Sequence, residues 1–180
     1  NGIAAYIDTL SEAMKILVDQ ASGTLVPIAN DVKIQVEFNP ATVAEYRLIG
    51  YETRALARED FNNDKVDSGD IGAGHTVTAL YEITPVGSAA QKSDKLRYQS
   101  IADGSNSQEL GFLKLRFKVP GQSESQLIET PIIDGKAQNT ADAKFSAAIA
   151  GFGQLLREDT KYLGNWSYIN AVNLAQSAKG

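Results

Sequence analysis

The sequence predicts an α+β, mainly β fold: an antiparallel β-sandwich-like sheet with one N-terminal helix and two C-terminal helices. Three observations predict it. Apolar residues recur at helical spacing only towards the two ends; they alternate with polar residues through the middle; and neither an internal repeat nor a strand–helix–strand rhythm is present.

The first helix covers about Thr9 to Gln20. Ile7, Leu10, Met14, Leu17 and Val18 form its stripe, Thr9 with Glu12 matches a capping box, and Gly23 stops it. Such a stripe needs a surface to cover. The period then falls to 2, as Val32, Ile34, Val36 and Phe38 alternate with Lys33, Gln35 and Glu37, which reads as a strand with one wet face ending at Asn39-Pro40. "EYRLIGYETR" continues extended. "HTVTALYEITPV" gives a third strand, with Val77, Ala79, Tyr81 and Ile83 on one face.

Residues 87–109 read as a loop broken by a short strand at "KLRYQS". "LGFLKLRFKVP" restores the alternation, with Leu113, Leu115, Phe117 and Val119 inward and Lys114, Arg116 and Lys118 outward. "SQLIETPII" is its antiparallel partner, and Pro131 confines that partner to an edge or an end. Beyond Gly135, Phe145, Ala148, Ile149, Phe152, Leu155 and Leu156 line one face of a helix capped by Asn139 or Thr140. A last helix runs from about Ser167 to Ala178. The expected divisions are residues 1–23 as a closing or lead-in helix, 24–136 as the sheet domain and 137–180 as a helical segment packed on it.

The 180 residues are enough to bury a real core. Lys+Arg 17 against Asp+Glu 22 gives a net charge of −5, and no basic run is long enough for a nucleic-acid footprint, so nucleic acid is not the expected partner. Zero cysteines exclude disulfides, thiolate metal sites and a cysteine nucleophile. No apolar run reaches the roughly 20 residues of a membrane span. The start "NGIAAYIDTL" lacks an initiator Met and a signal-like pattern, so the chain reads as a piece of a longer protein.

The best local candidate for chemistry is the acidic stretch "REDFNNDKVDSGDIGAGH". Asp60, Asn62 and Asp64 stand at alternate positions, as the first oxygens of a calcium loop do, and Asp67 and Asp70 follow, so calcium is the candidate cation. With Asp60 as the first ligand, however, Lys65 occupies the place of the turn glycine and Ile71 that of the bidentate Glu. A polar turn between two strands accounts for the same residues, because Asp and Asn bond their own backbone and Gly69, Gly72 and Gly74 allow positive φ.

Other motifs are weaker. The glycines of "GDIGAGH" precede a strand and not the helix a phosphate needs. His75 is the sole histidine and no GxSxG motif exists, so catalysis is not expected. Trp166, between Tyr162 and Tyr168, reads as an aromatic plug docking the last helices on the sheet. The Lys114, Arg116 and Lys118 stripe reads as a solvated strand face.

The long run "DVKIQVEFNPATVAEYRLIGYETRALAREDFNNDKVDSGDIGAGHTVTALYEI" resembles the region that follows the von Willebrand factor type A domain in a family of bacterial cell-envelope proteins, a domain of unknown function. "YIDTLSEAMKILVDQ", "KLRYQ", "FLKLRFK" and "FGQLLREDTKYLGNWSY" extend the resemblance over almost the whole chain. It implies that the first helix closes an upstream type A domain, that the parent protein is exported to the envelope, and that this part is an accessory module whose partner is that domain or another protein. The adhesion motif Asp-x-Ser-x-Ser recurs here at Asp103 to Ser107, but neither a buried strand before it nor a helix after it supports that role.

Overall fold

A computed structural model describes residues 7–19, 26–50, 56–94, 108–135, 140–158 and 160–179. Among the described residues six strands follow one another: β1 (Pro27–Phe38), β2 (Val43–Ile49), β3 (Gly69–Gly72), β4 (Leu80–Pro85), β5 (Glu109–Lys118) and β6 (Ser125–Ile133). Helix α1 (Leu10–Met14) precedes them; α2 (Ala141–Leu156), the single turn α3 (Thr160–Leu163) and α4 (Tyr168–Ser177) follow. The α+β class, with antiparallel sheets between one N-terminal and two longer C-terminal helices, agrees with the sequence expectation. The chain separates into two compact units, one built from residues 1–39, 54–77 and 110–132, the other from 40–53, 78–109 and 133–180.

In the first unit the Thr9 hydroxyl caps α1 by accepting from the Glu12 N–H, and a π-helical turn continues it over Lys15–Asp19. The sheet has the order β3-β1-β5-β6, which places Pro131 on the edge strand, where a missing N–H donor is tolerated. Phe61, in a 3₁₀ turn at Arg58–Asn62, is buried. β1 is bulged: its register shifts against both β3 and β5 around Asp31, which takes a left-handed φ of 53°. The bulge changes which side chains face inward. Lys33 is 1% exposed and Ile34 is 45% exposed, the reverse of the expected wet face.

In the second unit β2 and β4 form a two-stranded ladder whose last pair is Ile49 with Leu80. Gly50 follows at φ 125°, so the ladder stops there. Residues 75–79, expected as the start of that strand, therefore lie outside it, with Val77 exposed. The expected strand at "KLRYQS" falls outside the described residues. Thr140 caps α2 through the Ala143 N–H, and Ser167 with Asn170 forms a capping box on α4.

α2 buries only part of the apolar face that the sequence marks, Ala148, and leaves most of its large residues outside. Ala148 and Gly151 are buried, while Phe145, Ile149, Phe152 and Leu156 are exposed. The small face permits a close approach: a Cβ on Gly151 would lie 2.5 Å from Trp166 Nε1 and 2.8 Å from Cε2. Trp166 is thus packed on α2, and it lines a cavity of about 420 Å³ with Ile49, Leu80 and Leu174.

Candidate functional site

The acidic stretch of the first unit divides among several partners. Asp60 lies in the 3₁₀ turn and its Oδ1 accepts from Asn63 Nδ2 at 3.5 Å, while Asn62 ends that turn on the surface. Asp64 Oδ1 accepts from Arg116 Nη2 at 3.0 Å and from the Ser125 hydroxyl. Asp67 is exposed in the following turn, and Asp70, in β3, accepts the Asp31 N–H at 3.1 Å. Among the described residues no three acidic or histidine side chains are grouped as a metal ion would need. His75 sits in the turn after β3, its N–H bonded to the Gly72 carbonyl at 3.1 Å.

Beneath this loop lies a buried charge group that the sequence reading did not single out. Lys33 Nζ donates to the Asn63 carbonyl at 2.6 Å and reaches Asp31 Oδ2 at 3.4 Å. Lys118 Nζ meets the same Asp31 oxygen at 2.9 Å and also donates to the Asp64 carbonyl at 2.9 Å. Ser68 Oγ donates to the Val32 carbonyl at 2.9 Å. The result is a charge-paired clamp that ties the 63–70 loop to β1 and β5. Each buried ammonium has an oxygen partner, as burial of a charge requires. The Ser125 hydroxyl, and after it the Arg116 guanidinium, hold the Asp64 carboxyl below the usual carboxylate range. The stripe expected to be solvated is thus turned onto the chain's own acids, Lys114 included, whose Nζ is 3.8 Å from Glu129. The sequence held no signal for it, since Asp31 and Lys33 lie two apart on the face that alternation marks as wet.

The second unit holds a cleft of about 520 Å³ around Tyr162, contributed by α3. The register of β2 and β4 sets Arg47 opposite Glu82, and Arg47 Nη2 donates to both Glu82 Oε2 and Gln154 Oε1 at 2.5 Å. Its guanidinium lies 4.0 Å from the Tyr162 ring centroid, with Lys92 Nζ at 4.8 Å and Lys161 Nζ at 4.9 Å. Three cations round one aromatic ring suit the negative face of its π system. Glu45 balances them, accepting from the Lys92 N–H at 2.9 Å and from the Ser93 hydroxyl and N–H at 2.5 Å. The Ser93 hydroxyl bond is the leading reason that the Glu45 carboxyl lies below its usual range. The cleft can therefore present fixed charges of both signs beside an aromatic surface. Only the cross-strand pairing of Arg47 with Glu82 was within reach of sequence reasoning, once the register was known.

Comparison with known proteins places these features in a family. A family model described as "Uncharacterized protein YfbK, C-terminal" matches residues 23–180. The "Uncharacterized protein YfbK" of Escherichia coli (strain K12) is 49% identical over 183 residues, which is 100% of this chain and 32% of that protein. The chain thus spans about a third of the length of the curated relative it matches. No solved structure matches. With most of its length, both units included, covered by the match, the chain belongs to the YfbK C-terminal domain family.

Proposed function

We propose that the chain is a non-catalytic accessory module that follows a von Willebrand type A domain in a longer bacterial cell-envelope protein, and that it acts in protein–protein interaction or adhesion. Its partner is that type A domain or another protein, and it works by surface complementarity. One observation carries the reading. Among the described residues the buried apolar side chains are Val43, Phe61, Ala148 and Ala171, whereas large apolar residues are exposed along α1, β6, α2 and α4. Single exposed apolar residues are ordinary; contiguous ones mark surfaces that a partner covers. The extent of the family relative beyond the matched third leaves room for such a partner in the same polypeptide.

The test is surface footprinting of the complete protein in its native envelope fraction, read by mass spectrometry. Leu127 and Ile128 on β6 and Leu10 and Met14 on α1 are expected to label far less than their exposure in this chain dictates. Labelling in proportion to those exposures would sink the proposal, as would recovery of the protein outside the envelope fraction.

A further inference from the structure

α2 carries its large apolar side chains away from its own unit. Phe145, Ile149, Phe152 and Leu156 form a straight outer stripe, and Tyr168, Ile169 and Val172 of α4 continue it. The two parts join where the rings of Phe152 and Tyr168 meet edge to face, with centroids 6.0 Å apart. These seven residues are 41–71% exposed. At the side-chain areas of roughly 150–250 Å² typical of large residues, they leave roughly 800 Å² accessible. That exceeds the roughly 300–600 Å² of a typical monomer's largest patch and equals the roughly 800 Å² that each partner gives to a standard stable interface.

The spacing of the stripe indicates the occupant. Its intervals are four, three and four residues, the alternation of a coiled-coil seam, and they read the same in both directions along the helix. Two such helices laid antiparallel about a two-fold axis set Phe145 against Leu156 of the other copy, and Ile149 against Phe152. A two-fold interface needs this self-complementarity, since one patch must match itself. From this geometry we propose that the α2–α4 face docks a second copy of the same chain, with α2 antiparallel to its mate. The proposal rests on the interaction-module reading and names the partner for this one face.

Analytical ultracentrifugation of the complete protein tests it, together with paired cysteines, which this chain lacks. Any cysteine elsewhere in the complete protein is first changed to serine. The expected result is a mass that doubles with concentration, and a disulfide-linked dimer that forms when Phe145→Cys and Leu156→Cys proteins are mixed but not when either is alone. Ile149→Glu is expected to give a monomer with unchanged circular dichroism; a dimer that survives it overturns the proposal. So does a monomeric mass up to about 100 μM, a concentration at which a specific interface of this size is well populated. If the protein is monomeric yet Ile149 and Ile169 are shielded in footprinting, the self-association fails and the interaction-module reading stands. If the protein is monomeric and Ile149 and Ile169, together with Leu10, Met14, Leu127 and Ile128, are freely labelled, both fail.

Discussion

Gly151 offers a direct test of how the helices of the second unit are packed. Alanine at this position adds a methyl group 2.5 Å from Trp166 Nε1, 2.8 Å from Cε2 and 3.1 Å from Cζ2. Two effects then oppose each other. Removing a glycine from a helix interior favours folding by about 1 kcal/mol, while forcing a methyl into an occupied space costs about 1–3 kcal/mol. The indole is a wide rigid ring and not the end of a flexible chain, so the second effect prevails and Gly151→Ala is expected to destabilise by up to about 2 kcal/mol. Gly153, two residues on, supplies the control: its Cβ would meet nothing within 4 Å. Gly153→Ala is therefore expected to stabilise by up to about 1 kcal/mol. At roughly 2–4 °C per kcal/mol for a chain of this size, the two melting temperatures should move in opposite directions. Thermal and urea unfolding monitored by Trp166, the chain's sole tryptophan, reads both. Replacing the indole with a smaller ring should shrink the Gly151→Ala penalty, a coupling that a double-mutant cycle measures. Equal stabilisation by both alanines, with unchanged Trp166 fluorescence, would refute the packing of Trp166 on Gly151.

Three further outcomes are expected. Asp31→Ala leaves the fully buried Lys33 ammonium with the Asn63 carbonyl as its remaining partner in the clamp, and should cost about 3–5 kcal/mol in urea unfolding; adding Lys33→Met should recover much of it. The Asp64 carboxyl is held low in the folded state, so its contribution to stability is present above the unfolded aspartate value of about 4 and is lost as pH falls through the folded value. The stability gap between the native chain and Asp64→Asn should accordingly be widest near neutral pH and close in acid; a gap independent of pH would contradict the pairing with Ser125 and Arg116. Calorimetric titration with millimolar calcium is expected to give no saturable heat, because Asp64 and Asp70 are already engaged with Arg116, Ser125 and the Asp31 N–H. Heat that Asp60→Ala or Asp64→Ala abolishes would instead establish the cation-binding alternative.

Much of the fold was legible because it is local. Thr9, Thr140 and Ser167 cap the helices that their hydroxyls and spacing announce, since a cap needs only the next three residues. Period-2 alternation located β5, β6 was expected as its partner, and Pro131 confined β6 to an edge or an end. The partners of the acidic stretch were not legible, because alternate acids specify spacing along the chain and not where each side chain turns in space. Asp64 and Asp70 turn instead to Arg116 and Asp31, which lie far away in sequence.

By itself, then, the sequence determined the α+β class, the helix starts, most strands and the family to which the chain belongs, all properties of short-range pattern or of long matching runs. Which side of each element faces inward was decided only by tertiary structure. A bulge at Asp31 shifts the pleat, so Lys33 is buried and Ile34 is exposed. On α2, one stripe is small and another large, and either could have served as the inner face. The close seat of the Trp166 indole on Gly151 selects the small one and leaves Phe145, Ile149, Phe152 and Leu156 outside. Periodicity tells that a face exists, while the shape of what packs against it settles which face is used.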